Sequence, residues 1–148
     1  MGERKLAEFG VPLTQRRVSD DNIEHIVAAI REVRACGVDI VLCTGGMSVD
    51  PDDRTPAAIR DSGANIITYG APVLPGAMFL LGYYEDGVPV MGLPGCVMYS
   101  RASIFDIVLP RVVAGIRLER RDLTRLGNGG LCLQCEVCTY PNCGFGKE

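Results

Sequence analysis

The sequence predicts a three-layer α/β/α fold with a mostly parallel sheet and one antiparallel hairpin, followed by an irregular cysteine-rich tail. Short apolar runs alternate with amphipathic segments of helical period, which is typical of βαβ units. A chain of 148 residues with 47% hydrophobic residues can bury one core of ordinary size. We therefore expect one α/β domain over residues 1–118, and a charged linker with the tail over residues 119–148.

The first predicted unit is an amphipathic helix over residues 23–36 followed by a strand. Apolar residues recur along it at helical spacing, and Asp21 with Glu24 has the spacing of a capping box. Gly37 suits the left-handed position that ends a helix, and the apolar run 38–43 follows at once. The pattern indicates a helix, a tight turn and a buried strand.

A second helix and strand complete the crossover. Thr55 and Pro56 supply an N-cap and a first-turn proline for a short helix that reaches Gly63. Residues 65–69 then form the next strand. Parallel βαβ units place their ligand sites beyond the carboxyl ends of the strands, so the loop that begins at Thr44 is where chemistry is expected.

The remaining elements are a hairpin and a helix. Residues 78–84 and 88–93 flank the sequence Glu-Asp-Gly at 85–87, which predicts two antiparallel strands joined by a turn. The apolar segment 104–113 is predicted to be helical, with Pro110 forcing a kink or a break.

Composition excludes several classes of function. The net charge of −3, with both signs interspersed, gives no positive field for nucleic acid. No apolar run approaches the roughly 18 residues of a membrane span, and the N-terminus carries no signal-peptide pattern. Seven cysteines, an odd number, favour thiols over a disulfide framework. We expect a cytoplasmic protein that binds neither nucleic acid nor a membrane.

Two glycine-rich turns follow predicted strands. The first glycine loop, residues 44–48 (Thr-Gly-Gly-Met-Ser), allows close approach of backbone N–H groups to an anion, and its hydroxyls add donors. It lacks the Gly-Lys-Ser/Thr ending of a Walker loop. The second glycine loop is residues 92–95 (Gly-Leu-Pro-Gly). Two such turns at one sheet edge would form a phosphate cradle, although each could also be an ordinary turn.

The acidic loop, residues 50–53, places three carboxylates in four positions at the same strand end. Adjacent carboxylates repel one another and are commonly solvated or neutralised by a cation. Mg²⁺ is typically held by one or two carboxylates together with substrate phosphates. The loop is therefore either a magnesium site for a phosphorylated ligand or a solvated acidic turn.

The C-terminal cysteines form a cluster of their own. A short turn-rich segment of this kind cannot build a separate core, so a bound metal would supply its order. The spacing is similar to that of bacterial ferredoxins, which favours a [4Fe–4S] cluster. It is also compatible with tetrahedral zinc. Free thiols are the third and least favoured alternative. The predicted ligands are Cys132, Cys135, Cys138 and Cys143.

The loops together carry a resemblance to a known family. Residues 39–56, taken with residues 92–95, resemble the molybdenum-cofactor biosynthesis domain of molybdopterin adenylyltransferases and molybdopterin molybdenumtransferases, and the resemblance covers residues 6–118. In both branches an aspartate at the spacing of Asp53 follows the glycine pair. Thr55-Pro56 is closer to the adenylyltransferases, whereas residues 47–49 and 92–95 are closer to the molybdenumtransferases. The family's opening strand has no counterpart here, so we expect that strand to be missing.

The resemblance implies molybdopterin as ligand and Asp53 as the catalytic residue that positions Mg²⁺ or the activated intermediate. It implies magnesium-dependent molybdate insertion with ATP and molybdate as further partners, or adenylyl transfer, or binding without catalysis as a sensor or carrier. Relatives suggest a homo-oligomer. The binding residues carried over by the resemblance are Thr44, Gly45, Gly46, Met47, Ser48, Asp50, Thr55, Gly92, Leu93, Pro94 and Gly95.

Overall fold

A computed structural model describes residues 2–148. Within this part of the chain no helix is both long and apolar enough to cross a membrane. The short helix, the second strand, the hairpin and the last apolar helix of the sequence prediction are all present. The elements are α1 (Gly2–Glu8), α2 (Ile23–Ala35), β1 (Val41–Thr44), α3 (Thr55–Asp61), β2 (Asn65–Tyr69), β3 (Leu80–Tyr83), β4 (Pro89–Leu93), α4 (Ile104–Val113) and α5 (Arg120–Thr124), with 3₁₀ turns at Gly95–Met98 and Arg125–Gly129.

The sheet is mixed, with strand order β1-β4-β3-β2. β1 pairs with β4 in parallel, whereas β3 is antiparallel to both β4 and β2. The prediction of a mostly parallel sheet is therefore wrong, because the hairpin inserts between β1 and β2 and keeps these two strands from pairing. β1, β2 and β4 nevertheless run in the same direction, so their carboxyl ends share one edge.

Two cores, one on each face of the sheet, confirm the three layers. On one face Ile30 of α2 and Ile59 of α3 pack against the side chains of Val41, Leu80 and Val90. The opposite core lies between the sheet and α4, and it also takes in side chains from α1, α5 and the C-terminal residues. Its largest fully buried members are Phe79, Leu81, Met91, Ile104, Phe105, Leu109, Leu123 and Leu126.

Both predicted N-caps are shifted by one residue. α2 is capped by Asn22, whose side chain accepts a hydrogen bond from the His25 N–H at 3.2 Å, so the predicted capping box at Asp21 is wrong. Thr55 is the first helical residue of α3 and not its N-cap. Its buried hydroxyl donates instead to the Gly45 carbonyl at 2.7 Å, which ties the first glycine loop to the start of the helix.

Pro110 neither breaks α4 nor leaves its hydrogen-bond ladder unsatisfied. A proline at this position removes the N–H that would bond to the carbonyl of Asp106, four residues earlier. The hydroxyl of Tyr140, far along the chain, donates to that carbonyl at 3.1 Å. Tyr140, in the cysteine-rich segment, thus supplies the hydrogen-bond donor that Pro110 cannot.

The tail, residues 130–148, packs on the domain core. Phe145 is 4% exposed, and its ring meets that of Tyr140 edge to face, with the centroids 5.9 Å apart. Before it, the segment predicted as a linker forms α5 and a 3₁₀ turn whose leucines, Leu123 and Leu126, are fully buried. Apolar packing, which the sequence analysis did not expect here, orders this part of the chain.

A buried ion pair fastens α1 to α4. Lys5 Nζ lies 2.6 Å from Asp106 Oδ2, and both side chains are nearly inaccessible to solvent. The same carboxylate accepts hydrogen bonds from the N–H and hydroxyl of Ser103, which completes a capping box at the start of α4. Asp106 therefore joins three parts of the opposite core through its side chain and its carbonyl.

Candidate functional site

A cleft lies at the edge of the sheet where β1 and β4 end. In the parallel pairing Thr44 lies opposite Leu93, so the two glycine loops leave the sheet side by side, as their positions after strands suggest. The chain between β2 and β3 returns along the same edge. We call the resulting space, of about 640 Å³, the edge cleft; it is lined by Met47, Ser48, Val49, Leu74, Pro75, Gly76, Ala77, Met78, Pro94, Gly95, Cys96, Ser100, Leu131, Cys132 and Gln134.

The first glycine loop needs its glycines for backbone geometry. Gly45 and Gly46 have φ of 85° and 59°, in the left-handed region that favours glycine. A Cβ on Gly46 would lie 2.7 Å from the Thr55 hydroxyl oxygen. A Cβ on Gly92 would lie 2.5 Å from the terminal methyl of the buried Met47. Gly92 thus makes room for Met47, which places the two loops in direct contact.

The acidic loop is bonded mainly to itself and to the first glycine loop. Asp53 accepts hydrogen bonds from both the N–H and the hydroxyl of Ser48, the second at 2.7 Å. Asp50 accepts from the N–H of Asp52 at 2.9 Å, and the Asp52 side chain is 92% exposed. Asp53 therefore stabilises the conformation of the first glycine loop through its two hydrogen bonds with Ser48.

These carboxylates do not form a metal centre as they stand. Among residues 2–148 no group of three or more histidine, cysteine or acidic side chains is arranged to hold an ion. This statement covers both the acidic loop and the tail, whose four cysteines are free thiols with Cys135 and Cys138 exposed and Cys132 and Cys143 half-buried. The structure therefore does not show the predicted four-cysteine metal site, or a Mg²⁺ site formed by the acidic loop alone.

Tyr69, which the sequence motifs did not predict as a site residue, also belongs to this edge. It is the last residue of β2, and its hydroxyl lies 3.4 Å from the Ser48 carbonyl. Burial, and then the charge of Asp53, raise the pKa of Tyr69 above its usual value. The available signal was its position at the carboxyl end of a strand that shares this edge.

The lining of the edge cleft is neutral and largely apolar. No charged side chain is among its lining residues, and the polar ones are two serines, two cysteines and Gln134. Clefts of roughly 300–1,000 Å³ with apolar walls and a few polar groups are typical of small-molecule sites. Of the binding residues carried over by resemblance, Met47, Ser48, Pro94 and Gly95 line the cleft, whereas Thr44, Gly45, Gly46, Asp50, Thr55, Gly92 and Leu93 do not; the predicted catalytic residue Asp53 does not line it either.

The tail contributes a wall that the sequence analysis did not anticipate. Leu131 pairs with Leu74 in an isolated parallel bridge, in which the Leu74 N–H donates to the Gly130 carbonyl and the Cys132 N–H donates to the Leu74 carbonyl. This bridge brings Leu131, Cys132 and Gln134 to the cleft. Cys132, expected to be a metal ligand, thus lines the edge cleft.

The chain is similar to known proteins in sequence and in structure. Residues 3–114 match the family described as "probable molybdopterin binding domain". The solved structure of the molybdopterin biosynthesis MoeA protein from Pyrococcus horikosii is similar over 77% of this chain, with a TM-score of 0.56 and 25% identity, and the chain spans 27% of that protein. A CinA-like protein from Synechococcus sp. (strain CC9902) is 39% identical over 56 residues, which are 38% of this chain and 13% of the relative.

Proposed function

The chain belongs to the family of molybdopterin-binding domains, and we propose that its edge cleft binds molybdopterin for molybdenum-cofactor biosynthesis. The observation that carries this proposal is the convergence of both glycine loops on one neutral cleft of about 640 Å³. A fused heterocycle suits such apolar walls, because burying its rings removes apolar surface from water without stranding a charge.

The proposed orientation follows from the distribution of polar groups. The apolar side of the cleft, with Met47 and Leu74, would take the pterin ring system. The N–H and hydroxyl of Ser48 are already bonded to Asp53, so the phosphate would lie towards the second glycine loop, where the Ser100 hydroxyl and backbone N–H groups would be the donors. No lysine or arginine lines the cleft, so its neutral donors would carry the phosphate contacts.

In this proposal Asp53 is a positioning residue. Its carboxylate fixes the N–H and hydroxyl of Ser48, and Ser48 lies on the cleft wall. Substituting Asp53 by alanine would release both donors and let the first glycine loop change shape. Substituting it by asparagine keeps one oxygen as acceptor, removes the charge and replaces the other oxygen by an NH₂ donor.

We further propose that the bound molybdopterin is used for molybdate insertion. Adenylyl transfer to the pterin phosphate is the second candidate, favoured by the Thr55-Pro56 sequence alone. Binding without turnover, as in a carrier or sensor, is the third. In each of them this chain contributes positioning of the pterin and its phosphate and no covalent nucleophile.

The first test is a calorimetric titration of the folded chain with molybdopterin. Wild type should bind saturably, Asp53→Ala should weaken binding by roughly tenfold, and Asp53→Asn should lie between them. Asp52→Asn is the matched control, because it removes a charge from the same loop at a side chain that is 92% exposed. Absence of binding by folded wild type, or an equal loss in the control, would contradict the proposal.

A second set of titrations assigns the reaction. Each is repeated with Mg²⁺, with Mg²⁺ and ATP, and with Mg²⁺, ATP and molybdate together. Release of pyrophosphate from ATP would support adenylyl transfer, and molybdenum retained on the pterin would support insertion. Unchanged molybdopterin in all arms, together with tight binding, would support the carrier.

A further inference from the structure

We propose that the tail is a ligand-binding element of the edge cleft and that Gln134 determines its specificity for a heterocycle carrying adjacent hydrogen-bond donors and acceptors. This inference rests on the proposed function, because it takes the pterin ring of molybdopterin as that heterocycle. It goes beyond it by assigning recognition to a segment outside the matched residues 3–114.

The tail is seated on the cleft by tight backbone contacts. The bridge between Leu74 and Leu131 has hydrogen bonds of 2.7 and 2.8 Å. A Cβ on Gly130 would lie 2.0 Å from the Pro72 carbonyl oxygen, so only glycine allows this approach. On the other side of Gln134, the Arg101 guanidinium donates to the Glu136 carbonyl at 3.0 Å. Gln134 is thus held between two anchors.

The backbone of Gln134 adds a second observation. Among residues 2–148, Gln134 is the only non-glycine residue with a positive φ, which is 51°. A side chain in this region costs about 1 kcal/mol relative to glycine, and such residues concentrate at ligand-binding sites. This unfavourable conformation occurs on the wall of the edge cleft. Glycine would adopt the same backbone conformation without that cost, so the backbone alone does not explain a glutamine at this position.

The chemistry of the side chain fits the ring proposed for this site. A primary amide offers donors and an acceptor on separate atoms, which matches the amino, ring N–H and carbonyl groups along a pterin edge. The other polar residues that line the cleft are single hydroxyls and thiols. Gln134 is therefore the lining residue able to make a two-point contact with such an edge.

The test measures affinity for molybdopterin and thermal stability in the same variants. Gln134→Gly should weaken binding by roughly three- to tenfold, as expected for one or two neutral hydrogen bonds. Its Tm should equal or exceed that of wild type, because glycine relieves the left-handed backbone. Gln134→Glu keeps the backbone conformation and the size of the side chain but cannot donate at neutral pH, so it should also weaken binding.

Leu133→Ala is the matched control, since Leu133 is 77% exposed, adjoins Gln134 and does not line the cleft. It should bind as wild type does. Equal affinities of wild type and Gln134→Gly, or an equal loss in Leu133→Ala, would overturn the inference while leaving the proposed function standing. Failure of folded wild type to bind molybdopterin would instead refute the proposed function, and this inference with it.

Discussion

The contact between Tyr140 and α4 gives a quantitative prediction about how the tail is held. The Asp106 carbonyl lacks its helical partner because residue 110 is proline, and the Tyr140 hydroxyl donates to it at 3.1 Å. In Tyr140→Phe the ring packing remains but the carbonyl loses its donor. An unsatisfied buried polar group costs about 1–3 kcal/mol, and Tyr140 is only half-buried, so we expect a loss of about 1–2 kcal/mol.

The same substitution should cost less when residue 110 can donate. In Pro110→Ala the restored N–H bonds to the Asp106 carbonyl within the helix, and removal of the Tyr140 hydroxyl should then cost under about 0.5 kcal/mol. The double-mutant cycle should give a coupling of about 1 kcal/mol, which separates this contact from every other effect of the two substitutions.

Urea unfolding followed by far-UV circular dichroism is the suitable assay, because the chain has no tryptophan and tyrosine fluorescence would change with the substitution itself. In thermal melts the single variant should lose about 3–6 °C. Tyr99→Phe, at a tyrosine that is 83% exposed, is the control and should have no effect. An equal cost of Tyr140→Phe in both backgrounds would refute the assignment.

Three further predictions concern stability and thiol chemistry. Lys5→Ala should lower the free energy of unfolding by about 3 kcal/mol, since it strands the buried carboxylate of Asp106; a loss below about 1 kcal/mol in urea would contradict the ion pair's role. Burial raises the pKa of the half-buried Cys43 to about 12, so at pH 8.5 iodoacetamide should label the exposed Cys96 long before Cys43, which mass spectrometry of timed digests can check; rapid labelling of Cys43 would contradict this raised pKa. Gly46→Ala should cost about 2 kcal/mol and weaken molybdopterin binding, because it combines a left-handed φ with a clash at Thr55; unaltered melting would show that the loop relaxes freely.

Local elements could be predicted because their signals lie within a few residues. The periodicity of α2, the Thr55-Pro56 start of α3 and the turn at 85–87 are nearest-neighbour effects, and the structure has each of them within a residue or two. The two glycine loops could be placed at one sheet edge because both follow strands of the same direction. Family membership followed from the same short motifs.

Strand order could not be predicted, because it depends on which surfaces bury each other. The placement of β3 and β4 between β1 and β2 satisfies two apolar faces at once, and no local signal encodes that choice. The packing of the tail also depends on surfaces that bury each other. The spacing of its cysteines predicts a metal site, whereas the buried Phe145, a single aromatic residue among glycines, gives no signal of comparable strength.

Most elements of residues 23–113, the family and the two loops that meet at the site follow from the sequence alone. What else surrounds that site depends on tertiary contacts. The tertiary structure brings Gln134 to the cleft that Ser48 and Pro94 also line, and Tyr140 to the carbonyl that Pro110 leaves free. These partners lie tens of residues apart in the chain, and their contacts exist only because burial of the shared core holds both segments in place.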